Sequence, residues 1–286
     1  MTAFPTAPTG LTRRGRRLPD TETERRMLQA AVAMVHRSGL TVSLDHISFE
    51  DVIRAADVSR SAVYRRWPYK DLFFSDLIKE LAKDASPAAI VADEVRLVRQ
   101  VMTDHPGWLE TPELRRALIA EMFRRLSLLD FQALYESPEW RTYLALHATF
   151  LSLADGRLRD QVQAALARSE RERMALVTQS WEYLAGLLGY RLRPEFGAAG
   201  LATMVTLLSA MLRGLVIMAL SMPDLAGQRT ETAPFAAATA EQWSLPALGM
   251  ASVVDTFLEP DPAVEWDAER TATVRDALLS LSLPEP

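Results

Sequence analysis

The side chains from Ser59 to Lys70 are the part of this sequence best equipped for chemistry. Ser59, Arg60, Ser61, Tyr64, Arg65, Arg66 and Lys70 supply hydroxyl, guanidinium and ammonium donors within one short stretch. Read as a helix, the stretch turns Arg60, Ser61, Tyr64, Arg65 and Arg66 outward, while Ala62, Val63 and Trp67 face the other way. A donor-rich face of that kind suits phosphate oxygens and the acceptor edges of bases. The bland alternative is a helical corner whose arginines are merely solvated. A second basic cluster, Arg13, Arg14, Arg16 and Arg17, surrounds Gly15. It reads either as an arm entering a narrow minor groove, where negative potential draws arginine, or as a tail giving weak nonspecific attraction.

Two short helices must position the first cluster. Ser48 is placed to cap one, with Asp51 at its N3 position and an apolar stripe of Phe49, Val52, Ile53 and Ala56. Asp57 and Val58 make the turn, and Ser59 caps the next helix, which stops at Pro68. From Ser59 to Trp67 this second helix spans about 13 Å at 1.5 Å per residue, a length the major groove accepts. Ahead of them, Thr21 with Glu24 predicts a capping box. Met27, Ala30, Ala31, Met34 and Val35 then fall on one helical face, and Gly39 ends the helix.

The chain of 286 residues is 49% hydrophobic and 24% charged, which bounds it to ordinary globular proteins with room for two modest domains. Having no cysteine, it can form neither disulfides nor thiolate metal sites. The net charge of −5 conceals an asymmetry. Residues 1–84 hold 14 Lys and Arg against 11 Asp and Glu, and the remainder 18 against 26, giving +3 and −8. A basic end on an acidic body is the distribution expected when one end meets phosphate. No apolar core follows the early arginines, so residues 1–19 read as a flexible basic arm rather than a signal peptide.

Beyond residue 84 the patterning stays helical, with no sustained alternation for a sheet. Helices are expected over 87–103, 112–136, 139–154, 158–189, 194–222, 246–258 and 264–282, with prolines at the breaks and a loop over 223–245. Leu201 to Met222 is apolar enough for a membrane span. Arg213 near its middle would cost roughly 2.5 kcal/mol or more there, which favours a helix buried at the centre of a bundle. The four histidines stand far apart, none three residues after a Glu, and no phosphate-loop, dinucleotide or nucleophile-elbow pattern occurs. The expectation is therefore no enzyme, no metal and no cofactor.

The run from Ile47 to Leu77, above all Val58-Ser59 through Tyr64, Trp67 and Lys70, resembles the DNA-binding domain of the tetracycline-repressor (TetR) family. The resemblance covers about residues 22–80. It departs from the family at Asp57, where Gly is common, at Glu50, where a neutral or basic residue is usual, and at Ile53, where a small one is. The resemblance implies that Ser48 approaches a phosphate and that Arg60, Ser61 and Ala62 face base edges, Ala62 against a thymine methyl. It implies further that Tyr64 and Lys70 hold the DNA backbone and that Arg66 reaches a base or a phosphate.

The fold class expected is all-α: a three-helix helix-turn-helix DNA-binding domain over 20–84, then a helical bundle over 85–286 for effector binding and dimerisation. Candidate effector-pocket residues are Trp108, Met122, Phe123, Trp140, Tyr143, His147, Phe150 and Trp181, with ordinary core packing as the competing account of each. By resemblance, helices near 196–222 and 246–258 form the dimer interface, with Arg213 meeting a carboxylate or carbonyl there. The function these readings imply is a cytoplasmic, homodimeric, ligand-responsive transcription regulator, a repressor, whose partners are double-stranded operator DNA and a small apolar effector, with no membrane. The alternative is a helical small-molecule binder or enzyme carrying a non-functional helix-turn-helix.

Overall fold

The computed structural model describes residues 19–38, 47–83, 91–235 and 239–281. The chain is all-α apart from two small ribbons, and it divides into two compact units, residues 1–81 and 82–286. The arginines at 13–17 and the stop at Gly39 lie outside the described residues.

In the first unit, α1 (Asp20–Ser38) packs on α2 (Phe49–Ala55) and α3 (Arg60–Arg66), and α4 (Lys70–Lys83) follows. The core is the apolar face read from the sequence: Met27, Ala31 and Val35 of α1 are buried with Val52, Ile53, Val63 and Trp67. Phe73 of α4 joins it, its ring tilted against Phe49 at 5.0 Å and edge-on to Trp67 at 5.2 Å. One local expectation fails. The helix begins at Asp20, which puts Thr21 inside it, and the Glu24 carboxylate reaches Arg66 instead of closing a capping box. Ion pairing with a guanidinium outcompetes a cap on an N–H that solvent can satisfy.

The second unit contains α5 (Val91–Asp104), α6 (Pro112–Glu136), α7 (Pro138–Ser152), α8 (Arg157–Leu187), α9 (Gly200–Ser221), the single turn α10 (Asp224–Gly227), α11 (Leu245–Phe257) and α12 (Ala268–Ser280). Pro112 and Pro138 stand in the first turns of α6 and α7, capped by Thr111 and Ser137, where a missing N–H costs nothing. A short 3-10 turn, Pro194–Phe196, precedes α9, so that helix starts at Gly200 rather than at the expected residue 194. The expected loop at 223–245 holds α10 and an antiparallel ribbon, β2 (Arg229–Thr232) with β3 (Glu241–Ser244), paired Thr230 to Trp243. A second ribbon joins β1 (Tyr190–Leu192) to β4 (Leu258–Pro260), Arg191 opposite Glu259. Strands of three and four residues are too short to leave a readable alternation.

Helix α11 lies against α6 and α9 and buries Ala247, Ala251, Val254 and Phe257, leaving mainly Ser252, Asp255 and Thr256 outside. Its apolar surface is thus consumed within the chain. Helix α9 is different. It is long and apolar enough to cross a membrane, yet only 22% of that window is buried. The expectation of a helix covered on all sides is not met within one chain: Met204, Val205, Leu208 and Val216 face inward, while Leu207, Ile217 and Met218 are exposed. Arg213 does meet a carboxylate, but inside the chain. Its guanidinium lies 2.9 Å from Glu170 of α8 and donates to the Tyr143 hydroxyl at 2.8 Å. Burial raises the Tyr143 pKa, while the Arg213 and Arg173 charges hold Glu170 below the usual carboxylate range against its own burial.

Candidate nucleic-acid interface

The site is built by two caps and a turn. The Ser48 hydroxyl accepts from the Asp51 N–H at 3.3 Å and opens α2; the Ser59 hydroxyl accepts from the Ala62 N–H at 3.3 Å and opens α3. Between them Asp57 adopts φ +50°, the left-handed conformation that sharpens the turn. Asp tolerates this region better than most residues because its short polar side chain can satisfy nearby backbone groups. Two of the side chains on the inner face of α3, Val63 and Trp67, are fully buried. That burial fixes the rotation of the helix, so Arg60, Ser61, Tyr64 and Arg65 are necessarily exposed.

The outward side chains are not free. Each arginine of α3 meets a carboxylate from another element. Arg60 Nη2 lies 2.7 Å from Glu50 Oε2 in the first turn of α2. Arg65 pairs with Asp20 at the start of α1. Arg66 donates from Nε to Glu24 at 3.0 Å and from Nη2 to Asp76 of α4 at 3.2 Å, and its guanidinium lies 5.1 Å from the Trp67 ring. Trp67 Nε1 donates to the same Asp76 at 2.8 Å. Burial opposes ionisation of Asp76, but hydrogen bonds from Lys79 and Trp67, with the charges of Lys79 and Arg66, bring its pKa below the ordinary value. Tyr64 donates to Glu50 Oε1 at 3.1 Å, which raises the phenol pKa. Its ring stands edge-on to Phe49 at 5.8 Å. Ser48 and Ser61 are exposed, and exposed Lys70 has no ion-pair partner among the described residues. Ala62, at the limit of burial, points its methyl inward with Val63.

The charge on this surface is therefore partly internal. Arg66 is a strut between α1, α3 and α4, whereas Arg60, Ser61 and Lys70 present donors to solvent and the exposed Tyr64 hydroxyl is held by Glu50. The carboxylates that tie these arginines were missed in the sequence reading, apart from Glu50, which stood out only as a departure from a family pattern.

The eight candidate pocket residues fall into four places. Trp108 and Met122 belong to the core of α5, α6 and α12, where Trp108 stacks on His105 at 3.5 Å. Phe123 and Trp181 lie together, 6.2 Å apart, with Phe235 at 5.3 Å from Phe123. Along α7 Trp140 stacks on Tyr143 and His147 meets Tyr143 at a tilt, beside Arg213. Phe150 lies under the Arg159 guanidinium at 4.7 Å. Clefts of about 410 and 660 Å³, lined around Arg270 and around Leu225 respectively, include none of the eight. The packed-core account explains these residues without a ligand.

Fold and site thus define an all-α chain whose first unit is a capped helix-turn-helix with a donor-bearing second helix. No protein-family model matches the chain, and no curated protein matches it. Among solved structures it is similar to full-length native TylP, a TetR regulator from Streptomyces fradiae. That structure is 15% identical, the match covers 93% of this chain and 95% of that one, and the TM-score is 0.31.

Proposed function

We propose that this chain is a cytoplasmic transcription regulator of the tetracycline-repressor type, a repressor that binds a palindromic operator as a homodimer. The observation that carries the reading is the exposed set Arg60, Ser61 and Tyr64 on α3, whose rotation is fixed by buried Val63 and Trp67, with exposed Lys70 at the start of α4. Guanidinium and hydroxyl groups on the face of a short, capped helix supply base-edge and phosphate donors in the arrangement a major groove accepts. A stability role does not account for them, since exposed ion pairs contribute about 0–1 kcal/mol.

Dimerisation rests on α9 together with α8. Thr203, Leu207, Ala210, Gly214, Ile217 and Ser221 follow one another at spacings of four and three residues, a seam of the kind that packs helix on helix. A Cβ at Gly214 would meet nothing within 4 Å, which leaves room for close approach of a second helix. Leu176 and Tyr183 of α8 are exposed as well. Helix α8 thereby replaces α11 as the second interface element. The large body is the place for a small, largely apolar effector. Such a ligand releases DNA only through its differential affinity for two conformations.

Selection of binding sites from a random duplex pool tests the reading. The expected result is enrichment of a palindrome whose half-sites lie about one helical turn apart, because two-fold protein symmetry imposes it. Recovery of an unenriched pool would leave a helical ligand-binding protein or enzyme with an inactive helix-turn-helix.

A further inference from the structure

Glu50 is an anomaly on a surface meant for DNA. Its carboxylate stands in the first turn of α2, half-exposed, where phosphate oxygens would repel it. It is also the only group among the described residues that holds both Arg60 and Tyr64: Oε2 lies 2.7 Å from Arg60 Nη2, and Oε1 accepts from the Tyr64 hydroxyl at 3.1 Å. The neighbouring residue, Phe49, supports the Tyr64 ring edge-on. One turn of α2 thus grips two side chains of α3 at once.

What that grip does follows from magnitudes. Arg60 is 72% exposed, so the pair lies in high dielectric and contributes little to folding. A free arginine at that exposure loses on the order of 2 kcal/mol of rotamer entropy when it docks on a base. Held by Glu50 through Nη2, the guanidinium has lost much of that freedom before DNA arrives, and its other N–H donors remain for a guanine edge. The two effects of the carboxylate oppose one another. Its charge weakens attraction to any DNA, while its ion pair with Arg60 favours one arginine pose over the rest. Lower general affinity with sharper discrimination is the signature of a residue that sets specificity.

We propose that Glu50 is a specificity-determining positioning residue, which orients Arg60 toward one base. The proposal rests on the DNA-binding reading above and names what that reading leaves open, namely why an acid stands in the interface.

The test uses the full chain and a site obtained by selection with the wild-type protein. Affinity is measured for that site, for its single-base variants and for random duplex, with wild type, Glu50→Gln, Glu50→Ala, Arg60→Ala and the Glu50→Ala/Arg60→Ala double variant. Glu50→Gln preserves size and an acceptor for Tyr64, so it tests charge without a packing change. Both Glu50 variants are expected to bind random duplex more tightly. They are also expected to lose about threefold to tenfold of the preference at one base position per half-site. Arg60→Ala should lose the preference at that same position, and the double variant should lose no more than Arg60→Ala alone. If the Glu50 variants bind every sequence more tightly with the base preferences intact, the carboxylate is only an electrostatic brake and the proposal fails. Additive losses in the double variant would likewise overturn it. Should the wild-type chain select no sequence at all, the DNA-binding reading fails first, and that outcome is visible before any variant is made.

Discussion

Three arginines on one short helix meet four carboxylates from three other elements, and the pairings separate their roles. Arg66 is the most constrained, tied to Glu24 and Asp76 and lying over Trp67. Arg66→Ala should destabilise the first unit by about 1–3 kcal/mol, the cost of stranding partly buried carboxylates. Thermal or urea unfolding at neutral pH checks this. The pH dependence has a definite sign. Because the folded Asp76 pKa is depressed, its contribution is complete above the ordinary carboxylate pKa of about 4 and disappears as pH falls through the folded value. The gap between wild type and Arg66→Ala should therefore narrow in acid. A variant as stable as wild type at neutral pH would return Arg66 to the DNA-contacting set. These roles were hidden in the sequence for a simple reason. Asp20 and Glu24 lie 45 and 42 positions from their arginines, and helical periodicity says nothing about partners on another helix.

Elements were far more legible than their pairings. The caps at Ser48 and Ser59, the turn at Asp57 and the prolines at helix breaks are all local chemistry, as are the caps at Thr111 and Ser137, which were found only in the structure. Local chemistry is visible in a single sequence. The ribbons β1–β4 and β2–β3 were not legible, because their register depends on chain segments that only the folded body brings together. Helix α9 stands between these cases: its length and apolarity were plain, but which side is covered was not. Its exposed seam gives the prediction at this scale. Ile217→Arg, at an exposed position, should leave the monomer folded while two guanidinium groups oppose each other across a two-fold axis. Sedimentation should then show a dimer for wild type and a monomer for the variant, with loss of operator affinity and unchanged helicity by circular dichroism. A variant that stays dimeric would move the interface elsewhere.

At the scale of the whole molecule, the charge contrast between a basic N-terminal part and an acidic remainder is readable from composition. A lining for a ligand is not. Aromatic and methionine residues at helical spacing are what any packed bundle needs, and the eight candidates disperse over four clusters because no sequence rule distinguishes a lining from a core. What unites the account is the claim that the Arg60–Lys70 surface grips DNA. The most direct measurement is the salt dependence of duplex binding by wild type and by the Arg60→Ala/Tyr64→Ala/Lys70→Ala variant. None of the three side chains is buried, so the fold is expected to survive. Wild type should lose affinity steeply with salt as phosphate contacts release counterions. The variant should bind its selected site at least about a hundredfold more weakly, with a shallower slope. Equal affinity and equal slope for the two proteins would contradict the assignment of this surface.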